Sequence, residues 1–103
     1  MILYVGEDNL IEWDAMTTAT DGNYLNSATV TFTLNARDGT ELVSSVAMSY
    51  VSASDGKYQG ILQASSYTLV PGTEYEIRIT AAGSGYNGHR RIRARARYHR
   101  NRD

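Results

Sequence analysis

The chain has 103 residues, 42% of them hydrophobic, no cysteine, and 10 basic against 11 acidic side chains for a net charge of −1. That length bounds it to one domain able to bury its own core. The missing cysteines exclude a disulfide framework and a thiol nucleophile, and favour a protein that works without an oxidising compartment.

The N-terminal MILYVGEDN holds an apolar run of five residues with no basic region ahead of it. It reads as a short edge strand, not as a signal peptide or membrane span. Leu10-Ile11-Glu12-Trp13 is a second short strand. Met16–Asn26 is small and polar, with Asp21-Gly22 as a turn signal. Ala28–Leu34 is the clearest strand: Val30, Phe32 and Leu34 share one face, and Thr29, Thr31 and Thr33 the other. Arg37-Asp38-Gly39-Thr40 turns the chain, and Val46, Met48 and Tyr50 resume the alternation. Ser52–Lys57 turns again at Asp55-Gly56 and leads into a strand over Tyr58–Leu62, where Gly60 permits a close backbone approach or a bulge.

Tyr67 and Leu69 run into a Pro71-Gly72 turn. The strand Glu74–Ala82 follows, with Tyr75, Ile77, Ile79 and Ala81 alternating with Glu74, Glu76, Arg78 and Thr80. That is the period of two of a half-buried strand. A Tyr just after a turn and opening a strand is the tyrosine-corner arrangement of immunoglobulin-like sandwiches, so Pro71, Gly72 and Tyr75 form a candidate structural corner. Gly83–Gly88 is expected as a hairpin loop with Asn87-Gly88 as its turn, and Arg90–Tyr98 as the last strand. About seven short strands and no amphipathic helix predict an all-β, single-domain, immunoglobulin-like antiparallel sandwich over residues 1–103. Its expected core is Val30, Phe32, Leu34, Met48, Tyr58, Leu62, Leu69, Tyr75, Ile77 and Ile79.

The net charge conceals a division. Residues 1–76 carry ten acids against Arg37 and Lys57, net −8, while residues 77–103 carry eight arginines against Asp103, net +7. Such asymmetry can mark an interaction surface. In the run HRRIRARARYHRNR, Ile92, Ala94, Ala96 and Tyr98 share one parity, and Arg91, Arg93, Arg95 and Arg97 the other. The expected hairpin sets Thr80 near Arg91, Arg78 near Arg93, Glu76 near Arg95 and Glu74 near Arg97. On the opposite face it sets Ile77 near Ala94 and Tyr75 near Ala96. Two readings follow. One is a solvated strand with cross-strand ion pairs. The other is a contact surface for an acidic protein, made by Arg91, Arg93, Arg95, Arg97 and Arg100. A second copy of the chain qualifies as that protein, since the two charged portions are complementary.

Nucleic acid is disfavoured, because the rest of the chain would repel a polyanion and no nucleic-acid motif is present. Enzyme chemistry lacks its parts: the only histidines, His89 and His99, lie beside arginines, and neither GxSxG nor HExxH occurs. Asp21, Asp38 and Asp55 would ligate calcium only if their turns clustered, and each is explained by an ordinary Asp-Gly turn. Trp13 reads as core in preference to a sugar-stacking platform. No catalytic residue, cofactor or metal site is expected.

The segment LVPGTEYEIRITAAG resembles the E–F corner of fibronectin type III and related domains. With DGNYLNSATVTFTLNARDGTEL, DGKYQGIL and the basic last strand, the order of elements resembles small immunoglobulin-like proteins encoded in phage and prophage structural-gene clusters. That resemblance covers most of the chain. It implies a virion structural or assembly component, made in the host cytoplasm and then carried in the particle. It brings no active site with it. A carbohydrate-binding or cell-surface adhesion module is the alternative function.

Overall fold

The computed structural model describes residues 1–14, 27–83 and 86–98. These residues form seven strands and no helix: β1 (Ile2–Tyr4), β2 (Asn9–Trp13), β3 (Thr29–Ala36), β4 (Glu41–Tyr50), β5 (Tyr58–Leu62), β6 (Glu74–Gly83) and β7 (Tyr86–Arg97). The turn expected at Asp21-Gly22 and the tail with His99, Arg100 and Arg102 lie outside the described residues.

The protein is all-β, and its strands follow one hydrogen-bonded order, β1-β7-β6-β3-β4-β5-β2. One expectation is corrected here. The sheet is mixed, because β1 runs parallel to β7 while the other neighbours are antiparallel. The two halves of the sheet are continuous, because β4 serves both. Its residues up to Met48 pair with β3, and Ser49 and Tyr50 pair with β5. The resulting sheet folds back on itself and comes close to a barrel. β4 also starts earlier than the alternation of Val46, Met48 and Tyr50 signals. Phe32 lies opposite Val46 and Leu34 opposite Val43, so β4 carries an extra residue there. Such a bulge bends and twists a strand.

One face of this folded sheet is the core. All ten side chains expected there are buried, joined by Leu3, Ile11, Trp13, Ala81, Ala94 and Ala96. The alternation explains this directly: successive strand residues point to opposite faces, so every second residue of β3 and β6 falls inward. Gly60 makes the expected close approach. A Cβ there would lie 2.9 Å from Met48 Cγ, 3.0 Å from Phe32 Cε2 and 3.1 Å from the Ala47 carbonyl oxygen. The Phe32 ring edge thus lies close against the β5 backbone at Gly60.

Two polar devices tie the ends of the fold together. Asn9 is buried yet fully employed. It accepts from the Tyr4 N–H at 2.8 Å and donates to the Tyr4 and Glu7 carbonyls at 3.1 Å each. It thereby stitches β1 to β2 across the opening of the sheet. The second device is the corner. The Thr73 N–H donates to the Val70 carbonyl at 3.1 Å, and Gly72 sits at φ +85°. That is a type II turn, with Pro at its second position and the positive φ that Gly adopts without strain at its third. Tyr75 is buried, and the Val70 N–H donates to its hydroxyl oxygen at 2.9 Å. The corner is also bonded to β7: the Gly72 N–H donates to the Ala96 carbonyl at 2.8 Å, and the Ala96 N–H to the Thr73 carbonyl at 3.0 Å. Tyr67 packs edge-on against the Tyr75 ring, with centroids 6.1 Å apart. Burial, and then the neighbouring Tyr75, hold its hydroxyl above the ordinary tyrosine range.

Candidate interaction face on the last strand

β6 pairs with β7 along its whole length, from Gly83 opposite Tyr86 to Glu74 opposite Arg95. Only Ser84 and Gly85 join the two strands, so the expected loop over Gly83–Gly88 is corrected. Asn87 and Gly88 are strand residues opposite Ala82 and Ala81, not a turn. Their small partners let the ladder run past the Asn-Gly pair. The register accordingly lies two residues from the expected one. Glu74 faces Arg95, Glu76 faces Arg93, Arg78 faces Arg91 and Thr80 faces His89. On the inner face Tyr75 meets Ala94 and Ile77 meets Ile92. A slip of one residue would have turned the strand over, whereas a slip of two keeps every side chain on its face and changes only its partner.

The consequence for the arginines is specific. Glu74 lies 3.2 Å from the Arg95 guanidinium and 3.7 Å from that of Arg37. Glu76 faces Arg93, but its carboxylate accepts instead from Arg78 Nε at 2.6 Å, along its own strand. Arg91 is left opposite another cation, and Arg97 opposite Tyr4 of β1. All four outer arginines of β7 are exposed. Among the described residues Arg91, Arg93 and Arg97 make no side-chain hydrogen bond or ion pair. Alternate strand residues recur at about 6.8 Å, so this is a row of cations roughly 20 Å long. Arg100, also expected in this contact surface, lies outside the described residues.

Arg90 departs from the row. It has the parity of Ile92 and lies opposite Ile79, and its guanidinium sits over the Trp13 ring, 5.4 Å from the centroid. That cation–π contact caps the core between β7 and β2. The signal for it was in the sequence, because Arg90 is the one arginine between Tyr86 and Arg97 on the parity of Ile92, Ala94 and Ala96. Trp13 is buried beneath it.

Among the described residues no three His, Cys, Asp or Glu side chains are placed to hold a metal. Asp38 accepts from the Thr40 N–H at 3.0 Å, and that bond holds its carboxyl below the ordinary range. Asp21 lies outside the described residues. Comparison with protein families, curated proteins and solved structures finds no match for this chain.

Proposed function

We propose that this chain is an immunoglobulin-like sandwich domain that acts by noncatalytic protein–protein contact, through the arginine face of β7. Strand neighbourhood supports the fold assignment. Immunoglobulin constant-type domains place strands A, B, E and D in one sheet and C, F and G in the other. With β2 to β7 taken as B to G, the observed runs β2-β5-β4 and β3-β6-β7 follow that order. β1 stands for strand A but pairs with the last strand. The corner agrees: Tyr75 lies near the start of β6 and its hydroxyl is bonded to the backbone just upstream.

The observation that carries the function is the group of three exposed guanidiniums, Arg91, Arg93 and Arg97, that nothing among the described residues engages. Arginine is the side chain best suited to pair with carboxylates at an interface. The partner is therefore an acidic protein surface, either a second copy of this chain or another component of a phage or prophage particle. The virion assignment rests on the resemblance in the order of elements. It places the protein in the host cytoplasm during assembly and afterwards in the particle. Trp13, the residue weighed for sugar stacking in the adhesion alternative, is buried in the core.

Contact through exposed charges weakens with salt, since screening acts over about 8 Å at physiological ionic strength. Sedimentation across a salt series reads the homotypic contact, and capture from cells that make the protein reads other partners. Arg91→Ser with Arg93→Ser is expected to reduce association in one or both. A strict monomer at every salt concentration removes the homotypic version. Recovery of the same partners by parent and double variant would reduce the arginine face to a solvated edge.

A further inference from the structure

The outer face of the β6–β7 hairpin also holds a cavity of about 300 Å³, lined by Arg78, Ile79, Thr80, His89, Arg90 and Arg91. We propose that it is a binding site for one tetrahedral oxyanion, a phosphate or sulfate group, held by Arg91, His89 and Thr80 with Arg78 at its side. The site shares Arg91 with the protein contact proposed above, but it stands whether or not that contact forms.

The register builds it. Thr80 faces His89 and Arg78 faces Arg91 in adjacent rungs of the ladder. All four side chains therefore project from the same face. Facing strand residues have Cβ atoms about 5 Å apart, and successive ones on a face are about 6.8 Å apart. A group with oxygens on every side, accepting bonds of about 2.8 Å, matches a frame of that size. The donors suit it. Arginine offers a fixed fork of N–H groups, the threonine hydroxyl donates one bond, and an imidazole donates from at least one nitrogen.

The charge around the cavity is unbalanced. Its lining holds the guanidiniums of Arg78 and Arg91 on this face, a histidine and no carboxylate. Like charges directly opposite on a ladder repel, yet Arg78 faces Arg91. Glu76 offsets Arg78, through the 2.6 Å bond to its Nε. Nothing among the described residues offsets Arg91, and Arg90 has turned to the other face over Trp13. An anion in the cavity supplies the missing counter-charge, and its binding stabilises the fold by mass action.

The test is a titration of the full chain with inorganic phosphate, and separately with sulfate, followed by the backbone amide NMR signals. Chloride at matched ionic strength serves as the reference. The expected result is saturable movement centred on Thr80, His89 and Arg91, with a rise in melting temperature. Arg91→Ser is expected to weaken binding about tenfold or more, as the loss of a charge-assisted contact does. Thr80→Val, which keeps the branched shape and removes the hydroxyl, is expected to weaken it less. Lys57→Ser removes the same charge from the far half of the sheet and should leave binding as in the parent. A phosphoserine arm separates two sources of the group. Tighter binding than inorganic phosphate assigns the site to a phosphorylated partner, and equal binding assigns it to the free ion. Overturning results are movement that chloride reproduces, movement that never saturates, or an Arg91→Ser variant that binds as well as the parent while keeping a folded spectrum.

Discussion

The corner at Val70–Tyr75 and the outer face of β7 lie side by side, and they handle polar groups in opposite ways. In the corner the Tyr75 hydroxyl, the Val70, Gly72 and Thr73 amides and the Ala96 carbonyl are all satisfied within the chain. On β7, three guanidiniums project with no partner among the described residues. Closed polar groups make a structure rigid and specific, whereas groups left open add little to folding and remain available for recognition. β7 does both at once. Ala94 and Ala96 of its inner face are buried in the core, and Arg91 to Arg97 of its outer face are exposed.

The largest expected effect breaks the closed side. Phe32→Ala removes a fully buried ring and should cost about 3–5 kcal/mol in denaturant unfolding, a large part of a domain's stability. An unchanged midpoint would place Phe32 outside the core. Gly60→Ala attacks the same contact from β5. Its Cβ would meet Met48, Phe32 and the Ala47 carbonyl at 2.9–3.1 Å, and overpacking of that kind costs about 1–3 kcal/mol. A variant as stable as the parent would show that the β5 backbone and the Phe32 ring can separate freely.

Tyr75→Phe sharpens the comparison at the corner itself. It keeps the ring and removes the acceptor of the Val70 amide, for a loss of about 0.5–1.5 kcal/mol by thermal unfolding. No loss would mean that the hydroxyl is idle. Asp38 gives the smallest effect. Its carboxyl is held below the ordinary value of 3.8 by the Thr40 bonds. The stability it adds is therefore present above pH 3.8 and lost as pH falls through the lowered folded value. Melts of the parent and Asp38→Ala should differ slightly near neutrality and converge in acid. A gap that persists in acid would contradict the assigned bond.

Much of this was legible in the sequence because period two is a strong signal wherever one face is buried. Val30, Phe32, Leu34, Tyr75, Ile77 and Ile79 fell inward by alternation alone, and the Pro71-Gly72 pair announced a turn. The outward parity of the β7 arginines was legible for the same reason. What escaped has physical causes. β1 has three residues, too few for a period, so neither its parallel pairing with β7 nor the burial of Leu3 left a pattern. Asn9 is buried because main-chain groups surround its amide, and a polar residue in sequence gives no sign of that. In Glu41–Ser45 the apolar Leu42 and Val43 are adjacent and the register shifts, so the alternation that marks the rest of β4 is broken there. Asn87-Gly88 is strong hairpin chemistry, yet the small residues Ala81 and Ala82 opposite it let pairing continue. The partners of the arginines were misplaced by two residues for that reason, and with them the fact that Arg91 faces a cation.

The central claim is that the outer arginines are surplus to the fold. Thermal unfolding of the Arg91→Ser, Arg93→Ser double variant tests it most directly. Neither side chain has a partner among the described residues. The melting temperature should therefore stay within about 4 °C of the parent, since exposed charges contribute at most about 1 kcal/mol. A fall as large as that caused by Phe32→Ala would contradict the account, because it would make the arginine face part of what holds the protein together.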